Sequence, residues 1–219
     1  GTGKSAYGLN LITNMIEADI PCMYFSLEMD TVSTMDRFMA MRTEIPVAEW
    51  YKTGTEIDPL MKILDDTKEE IGDRRYEFVD DPTIGLDAIQ HLIREFKIKH
   101  KIDYACIYID LITQVKEFID LKTSKGTLAT TIEMAVNRLN AIAKKENVCI
   151  VAIAQMNRDA DSTRINDLTQ LNSLRPTLNN VKNSGALGER SRVVLSVFRP
   201  KYYAERLFPD NDDVEFMPD

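Results

Sequence analysis

The sequence predicts an α/β fold with a mainly parallel central sheet and helices on both faces, and three observations carry that reading. Runs such as "PCMYFS", "YACIYID" and "VCIVAIA" are nearly continuously apolar, as strands buried on both faces require. Between them lie stretches whose apolar residues recur every three or four positions, long enough for the crossovers that parallel strands need. The opening "GTGKS" sets a glycine-rich turn directly before one such stretch, where a helix N-terminus can meet an anion.

Leu9, Ile12, Met15 and Ile16 predict a helix just after that turn, and "PCMYFS" predicts a short buried strand. Helices are expected from about 31 to 43 and from about 58 to 71, then a strand at "YEFVDDP" ending in a turn. Leu86, Ile89, Ile93 and Phe96 mark one face of a further helix, and "YACIYID" is the second fully buried strand. A polar loop is expected from about 113 to 127, followed by a helix carrying Ile132, Ala135, Val136, Leu139, Ile142 and Ala143, and the strand "VCIVAIA". The polar stretch 157–180 shows little apolar periodicity and reads as a functional loop. "RVVLSVF" is expected to add a last strand before a charged, Pro-containing tail.

At 219 residues, 44% hydrophobic and 28% charged, the chain fits one globular domain, 1–219, and excludes a disordered tail. Its longest apolar runs are too short to span a bilayer. Three cysteines without C-x-x-C spacing read as buried reduced thiols of a cytoplasmic protein, and two histidines are too few for a His/Cys metal cluster. The net charge of −8 counts against nucleic-acid binding unless positive charge is localised. Acidic residues do crowd 44–87 and the end of the chain, whereas Lys116, Lys122, Lys125, Arg158, Lys182, Arg199 and their neighbours fall in the loops and strand ends of the second half.

The full phosphate-loop signature is G-x-x-x-x-G-K-[ST]. With Gly3 and Lys4 as its G-K, the leading glycine belongs ahead of Gly1, so the sequence is expected to be a fragment that begins inside the loop. In open parallel sheets ligands bind beyond the carboxyl ends of the strands, which makes polar residues at those ends informative. "MYFSLE" delivers Glu28, "IYID" delivers Asp110 and "VAIAQ" delivers Gln155. Asp110 can orient Mg²⁺ and its waters, Glu28 can polarise an attacking water, and Gln155 can hydrogen-bond a γ-phosphate. Each has a plainer alternative: Glu28 as a carboxylate at a helix N-terminus, Asp110 as the end of a strand, Gln155 as a surface amide. Their joint placement with "GTGKS" on one sheet edge favours a nucleoside-triphosphate site.

"YFSLEMD" with Arg37 nine positions after Glu28, "YEFVDDP", "YIDL", "NRLNAIAKKENVCIVAIAQMNR" and "RPTLNNVKNSGALGERSRVVLSVFR" occur in the order and spacing of the DnaB-type replicative helicases, so that nearly the whole chain resembles their RecA-like motor domain. That resemblance implies a P-loop ATPase working in a hexameric ring on single-stranded DNA with 5′ to 3′ polarity, with ATP and Mg²⁺ as cofactors and with primase and a helicase loader as partners. It assigns Gly1, Thr2, Gly3, Lys4 and Ser5 to the phosphates, Ser5 and Asp110 to the metal, and Glu28 and Gln155 to catalysis. Its DNA-gripping loops fall here on Lys182, Asn183 and Gly185, with Lys122, Lys125 and Arg158 as further contacts. The chain departs from the family pattern at Glu189–Arg192, where an acidic, Ala-containing run is usual. The family's trans-acting finger hairpin is expected beyond "FMPD". A recombination or repair ATPase of the same superfamily, and a non-hydrolysing scaffold, are the alternative readings.

Overall fold

The computed structural model describes residues 3–50, 57–120, 128–155, 167–177 and 188–209. Four strands, β1 (Cys22–Ser26), β2 (Tyr76–Val79), β3 (Ala105–Asp110) and β4 (Val148–Ala152), form one sheet in the order β2-β1-β3-β4, with every neighbouring pair parallel. The helices whose bounds fall among the described residues are α1 (Lys4–Glu17), α2 (Thr31–Thr43), the short α3 (Val47–Trp50), α4 (Ile57–Ile71), α5 (Leu86–His100), the short α6 (Lys116–Asp120), α7 (Leu128–Lys145) and α8 (Pro200–Leu207).

The pleat sends successive residues to opposite faces, and the apolar strands use both. Met23 and Phe25 of β1 and Ala105, Ile107 and Ile109 of β3 point to a core completed by Ile89, Ile93 and Phe96 of α5 and Val136, Leu139 and Ile142 of α7. Cys22, Tyr24, Cys106 and Tyr108 point the other way, onto Leu9, Ile12 and Ile16 of α1 and Phe38 of α2. Burying each of the larger aliphatic and phenylalanine side chains contributes about 1.5–3 kcal/mol, so the two central strands anchor the domain from both sides. On the second face the buried Arg42 guanidinium of α2 donates to Glu17 of α1 at 2.8 Å and pairs with Glu70 of α4 at 2.9 Å, tying three helices together.

Chain order explains where a cleft opens. β1 leads through α2, α3 and α4 to β2 on one side of it, while β3 leads through α6 and α7 to β4 on the other. Adjacent strands whose connections depart in opposite directions define a switch point, and β1 and β3 are that pair.

Several sequence expectations need correction. "RVVLSVF" joins no sheet ladder; Val193 and Leu195 are 73% and 69% exposed. Apolar character alone does not make a strand when no neighbouring backbone among the described residues pairs with it. Within the stretch read as a loop, Leu168–Leu174 forms a 3₁₀ helix whose Leu171 and Leu174 pack on Tyr203 and Ala204 of α8, itself unforeseen in the charged tail. The expected loop at 113–127 begins instead with a 3₁₀ turn, Ile112–Gln114, and α6. Of the three cysteines, Cys22 and Cys106 are buried, with thiols pushed up to about 12 by that burial, but Cys149 is exposed because β4 is an outer strand among the described residues.

Candidate nucleotide site

The site is built where β1, β3 and β4 end. β1 and β3 run in register as far as Ser26 opposite Asp110, and the ladder continues one step further, with the Leu27 amide donating to the Asp110 carbonyl at 2.7 Å. The next residue on that side is Glu28, exposed at the tip of the turn. Ser26 holds the turn from below: its hydroxyl donates to the Met29 carbonyl at 2.8 Å and shares a 2.8 Å hydrogen bond with Thr34 Oγ1. Asp30 then accepts from the Ser33 amide at 2.7 Å, capping α2.

Asp110 is 4% exposed. Its Oδ2 accepts from the Tyr24 hydroxyl at 2.9 Å, whereas Oδ1 is buried without a hydrogen-bond partner among the described residues. The peptide after Asp110 is cis. The Tyr24 and Tyr108 rings stack at 5.0 Å, and burial, with the neighbouring Asp110 charge, raises both phenols above their ordinary range so that they stay protonated. β4 is stitched to the same rim: the Ile153 amide donates to the Ile109 carbonyl at 2.9 Å, the Ile112 amide to the Ile153 carbonyl at 3.0 Å, and Gln155 follows, exposed.

α1 reaches this rim because of two glycines. Gly3 has φ +93°, a left-handed conformation open to glycine at little cost, and from there the chain turns into the helix at Lys4. Gly8, one turn on, lies against the Tyr108 ring, so closely that no side chain fits between helix and strand. That contact sets the Lys4 end of α1 over the exit of β3, with Lys4 and Ser5 half-buried.

Glu28, Asp110 and Gln155 thus follow or end three adjoining strands, and Gly3, Lys4 and Ser5 begin the helix that packs on the middle one. Gly1, Thr2, Lys122, Lys125, Arg158, Lys182, Asn183 and Gly185 lie outside the described residues. Two neighbours were not assigned to the nucleotide site from sequence, although Arg199 was named among the basic residues of the second half. Tyr24, read as a strand former, is the partner of Asp110. Arg199, at the start of α8, lies beside the loop: a methyl group on Gly3 would sit 3.5 Å from its Cδ. Among the described residues no group of three or more His, Cys, Asp or Glu is arranged to hold a metal ion, and no helix is long and apolar enough to cross a membrane. A single carboxylate beside phosphate oxygens and water suffices for Mg²⁺, however, and the Oδ1 of Asp110, without a partner among the described residues, fits that use.

A parallel sheet with acidic strand exits facing a glycine-started, lysine-bearing helix belongs to the RecA-like ATPase fold. A solved ATPase domain superposes with a TM-score of 0.80 at 19% identity, covering 96% of this chain and 70% of that one. A DnaB-like replicative helicase, solved in a study of its interactions with primase, matches with a TM-score of 0.80 at 18% identity over 97% of this chain and 47% of that one. The model of the DnaB-like helicase C-terminal domain matches residues 1–216, and the chain belongs to that family. Among curated relatives, the replicative DNA helicase DnaB of Rickettsia felis is 24% identical over 97% of this chain, and that of Helicobacter pylori is 23% identical over 93%. The chain spans 42% and 39% of the length of those two relatives.

Proposed function

We propose that the chain is the ATP-hydrolysing motor of a replicative DNA helicase, a single domain that works in a hexameric ring and moves 5′ to 3′ on single-stranded DNA in the cytoplasm. The observation that carries this reading is the buried Asp110 carboxylate, one oxygen held by Tyr24 and the other without a partner among the described residues, opposite Ser26 at the end of the adjoining strand, two residues before Glu28.

Gly3, Lys4 and Ser5 hold the phosphates through helix-start amides, the ammonium and the hydroxyl. Ser5 and Asp110 would hold Mg²⁺, which neutralises charge developing between the β- and γ-phosphates. Glu28 accepts a proton from the attacking water, and its exposed place at the turn tip leaves it reachable from the nucleotide side. Gln155 hydrogen-bonds the γ-phosphate and passes its loss to the segment that follows. Lys122, Lys125, Arg158, Lys182, Asn183 and Gly185 supply backbone contacts to the DNA strand. Primase and a loader are its protein partners, and the interactions of the solved DnaB-like helicase with primase support the first of them.

Unwinding of forked DNA by the protein carrying this domain, assayed with both tail polarities, tests the proposal. Lys4→Ala removes one charged phosphate contact worth about 1.5–3 kcal/mol, hence about 10- to 100-fold in nucleotide affinity. Turnover and unwinding that persist in Lys4→Ala would remove the assignment. DNA-stimulated turnover without strand displacement would move the protein to the recombination ATPases.

A further inference from the structure

Tyr24 lies in the middle of a strand whose Cys22, Met23 and Phe25 are packed as core. A phenylalanine would fill the same space and bury no hydroxyl. A buried phenol needs a partner, and the one that Tyr24 reaches is Asp110 Oδ2, on the adjacent strand and two residues further toward the site than its register partner Tyr108. The ring is fixed independently: it stacks on Tyr108 at 5.0 Å and meets Phe78 at 5.6 Å, so the hydroxyl is aimed by packing on both sides. Tyr108, the same residue type next door, makes no such bond; its hydroxyl is buried without a partner among the described residues.

We infer that Tyr24 is a positioning residue for the metal: by occupying Asp110 Oδ2 it fixes the carboxylate rotamer and leaves Oδ1 as the single oxygen presented to Mg²⁺ or a metal-bound water. The inference rests on the nucleotide-site reading above. Its chemical sense lies in the demands of Mg²⁺, which requires near-octahedral geometry and takes few carboxylate oxygens, each at a defined direction. A carboxylate free to rotate, or to chelate through both oxygens, suits a larger cation better. Groups behind a ligating carboxylate orient it in this way, and their removal costs about 10- to 100-fold in metal affinity.

The test is Mn²⁺ binding to the chain in the presence of a non-hydrolysable ATP analogue, followed by electron paramagnetic resonance, with analogue affinity in chelator measured separately. Tyr24→Phe is expected to weaken Mn²⁺ binding by about 10-fold or more, with unchanged affinity for the metal-free analogue and with the fold retained, the melting temperature falling by no more than the loss of one buried hydrogen bond. Tyr108→Phe, which removes a hydroxyl with no partner among the described residues, should leave the Mn²⁺ titration where it was. A Tyr24→Phe titration that overlays wild type, while Asp110→Asn loses Mn²⁺, would overturn the positioning role and leave the nucleotide site standing. Failure of Tyr24→Phe to fold would overturn it too, since the phenol would then be a structural group. Should Asp110→Asn bind Mn²⁺ like wild type, the site reading fails and this inference with it.

Discussion

Replacing Gly8 by alanine probes the tightest glycine contact among the described residues. An added Cβ would lie 2.5 Å from Tyr108 Cε1 and nearer still to its Cζ and hydroxyl, whereas unstrained carbons rest about 3.5–4.0 Å apart. Either the ring or α1 must retreat by about 1 Å. The ring has nowhere to go: Tyr108 is 1% exposed and stacked on Tyr24, which itself abuts Phe78. Overpacking of this kind costs about 1–3 kcal/mol, and a clash with a ring held on a central strand belongs at the upper end. Alanine returns about 1 kcal/mol through its helix propensity. The net expectation is a loss of about 2 kcal/mol, which lowers the melting temperature of a chain this size by about 4–8 °C. Scanning calorimetry on four proteins checks it: wild type, Gly8→Ala, Tyr108→Ala and the double variant. In the Tyr108→Ala background the same alanine should become neutral or stabilising, because the ring it struck is gone. A Gly8→Ala protein as stable as wild type, or one that loses as much with the ring as without it, would refute the reasoning.

Three other outcomes are expected. Glu28→Gln keeps the shape of the side chain but removes its basicity, so turnover should fall by about 100-fold or more with nucleotide affinity unchanged, as rapid-quench and binding assays would show. Lys182→Ala should reduce the salt dependence of single-strand binding by about one phosphate contact, a drop of about 0.7 in the slope of log K against log salt concentration, read from titrations at several ionic strengths. The Glu146 carboxylate is held below its ordinary 4.5 chiefly by the Arg94 guanidinium, which donates to it at 2.7 and 3.0 Å, with Gln90 and the Lys145 charge assisting. Its stabilisation is therefore full above pH 4.5 and is withdrawn as the pH falls through its lower folded value. Urea midpoints should drop on acidification less in Glu146→Gln than in wild type.

Elements whose signal is local were legible. α2 spans 31–43 as expected, because Asp30 supplies a cap in the sequence itself and the residues that follow bury one face. β1 and β3 were equally plain, since a strand buried on both sides must be apolar throughout. "RVVLSVF" looks identical by that criterion, yet strand formation is a property of pairs and a single segment cannot declare its neighbour. The 3₁₀ helix at 168–174 and α8 hid for a related reason: Leu171 and Leu174 make sense only once Tyr203 and Ala204, far along the chain, lie against them. In the candidate site, sequence order was enough to put Glu28, Asp110 and Gln155 at strand ends, and the structure has them just past β1, at the end of β3 and just past β4. Tyr24 was not, because a phenol amid apolar residues reads as core until its hydroxyl is seen to meet a carboxylate.

The Leu27 amide bonded to the Asp110 carbonyl, and the Ile153 bonds beyond β4, mean that the strands stay zipped through Asp110 and to within one or two residues of Glu28 and Gln155. The gap between Glu28 and Asp110 is therefore a property of the sheet, like the spacing of teeth cut from one bar. Grafting a new turn between β1 and α2 would change what sits at the tip and leave that pitch alone; retuning it would take a shift in strand register, and a one-residue shift would send that strand's core side chains to the wrong face.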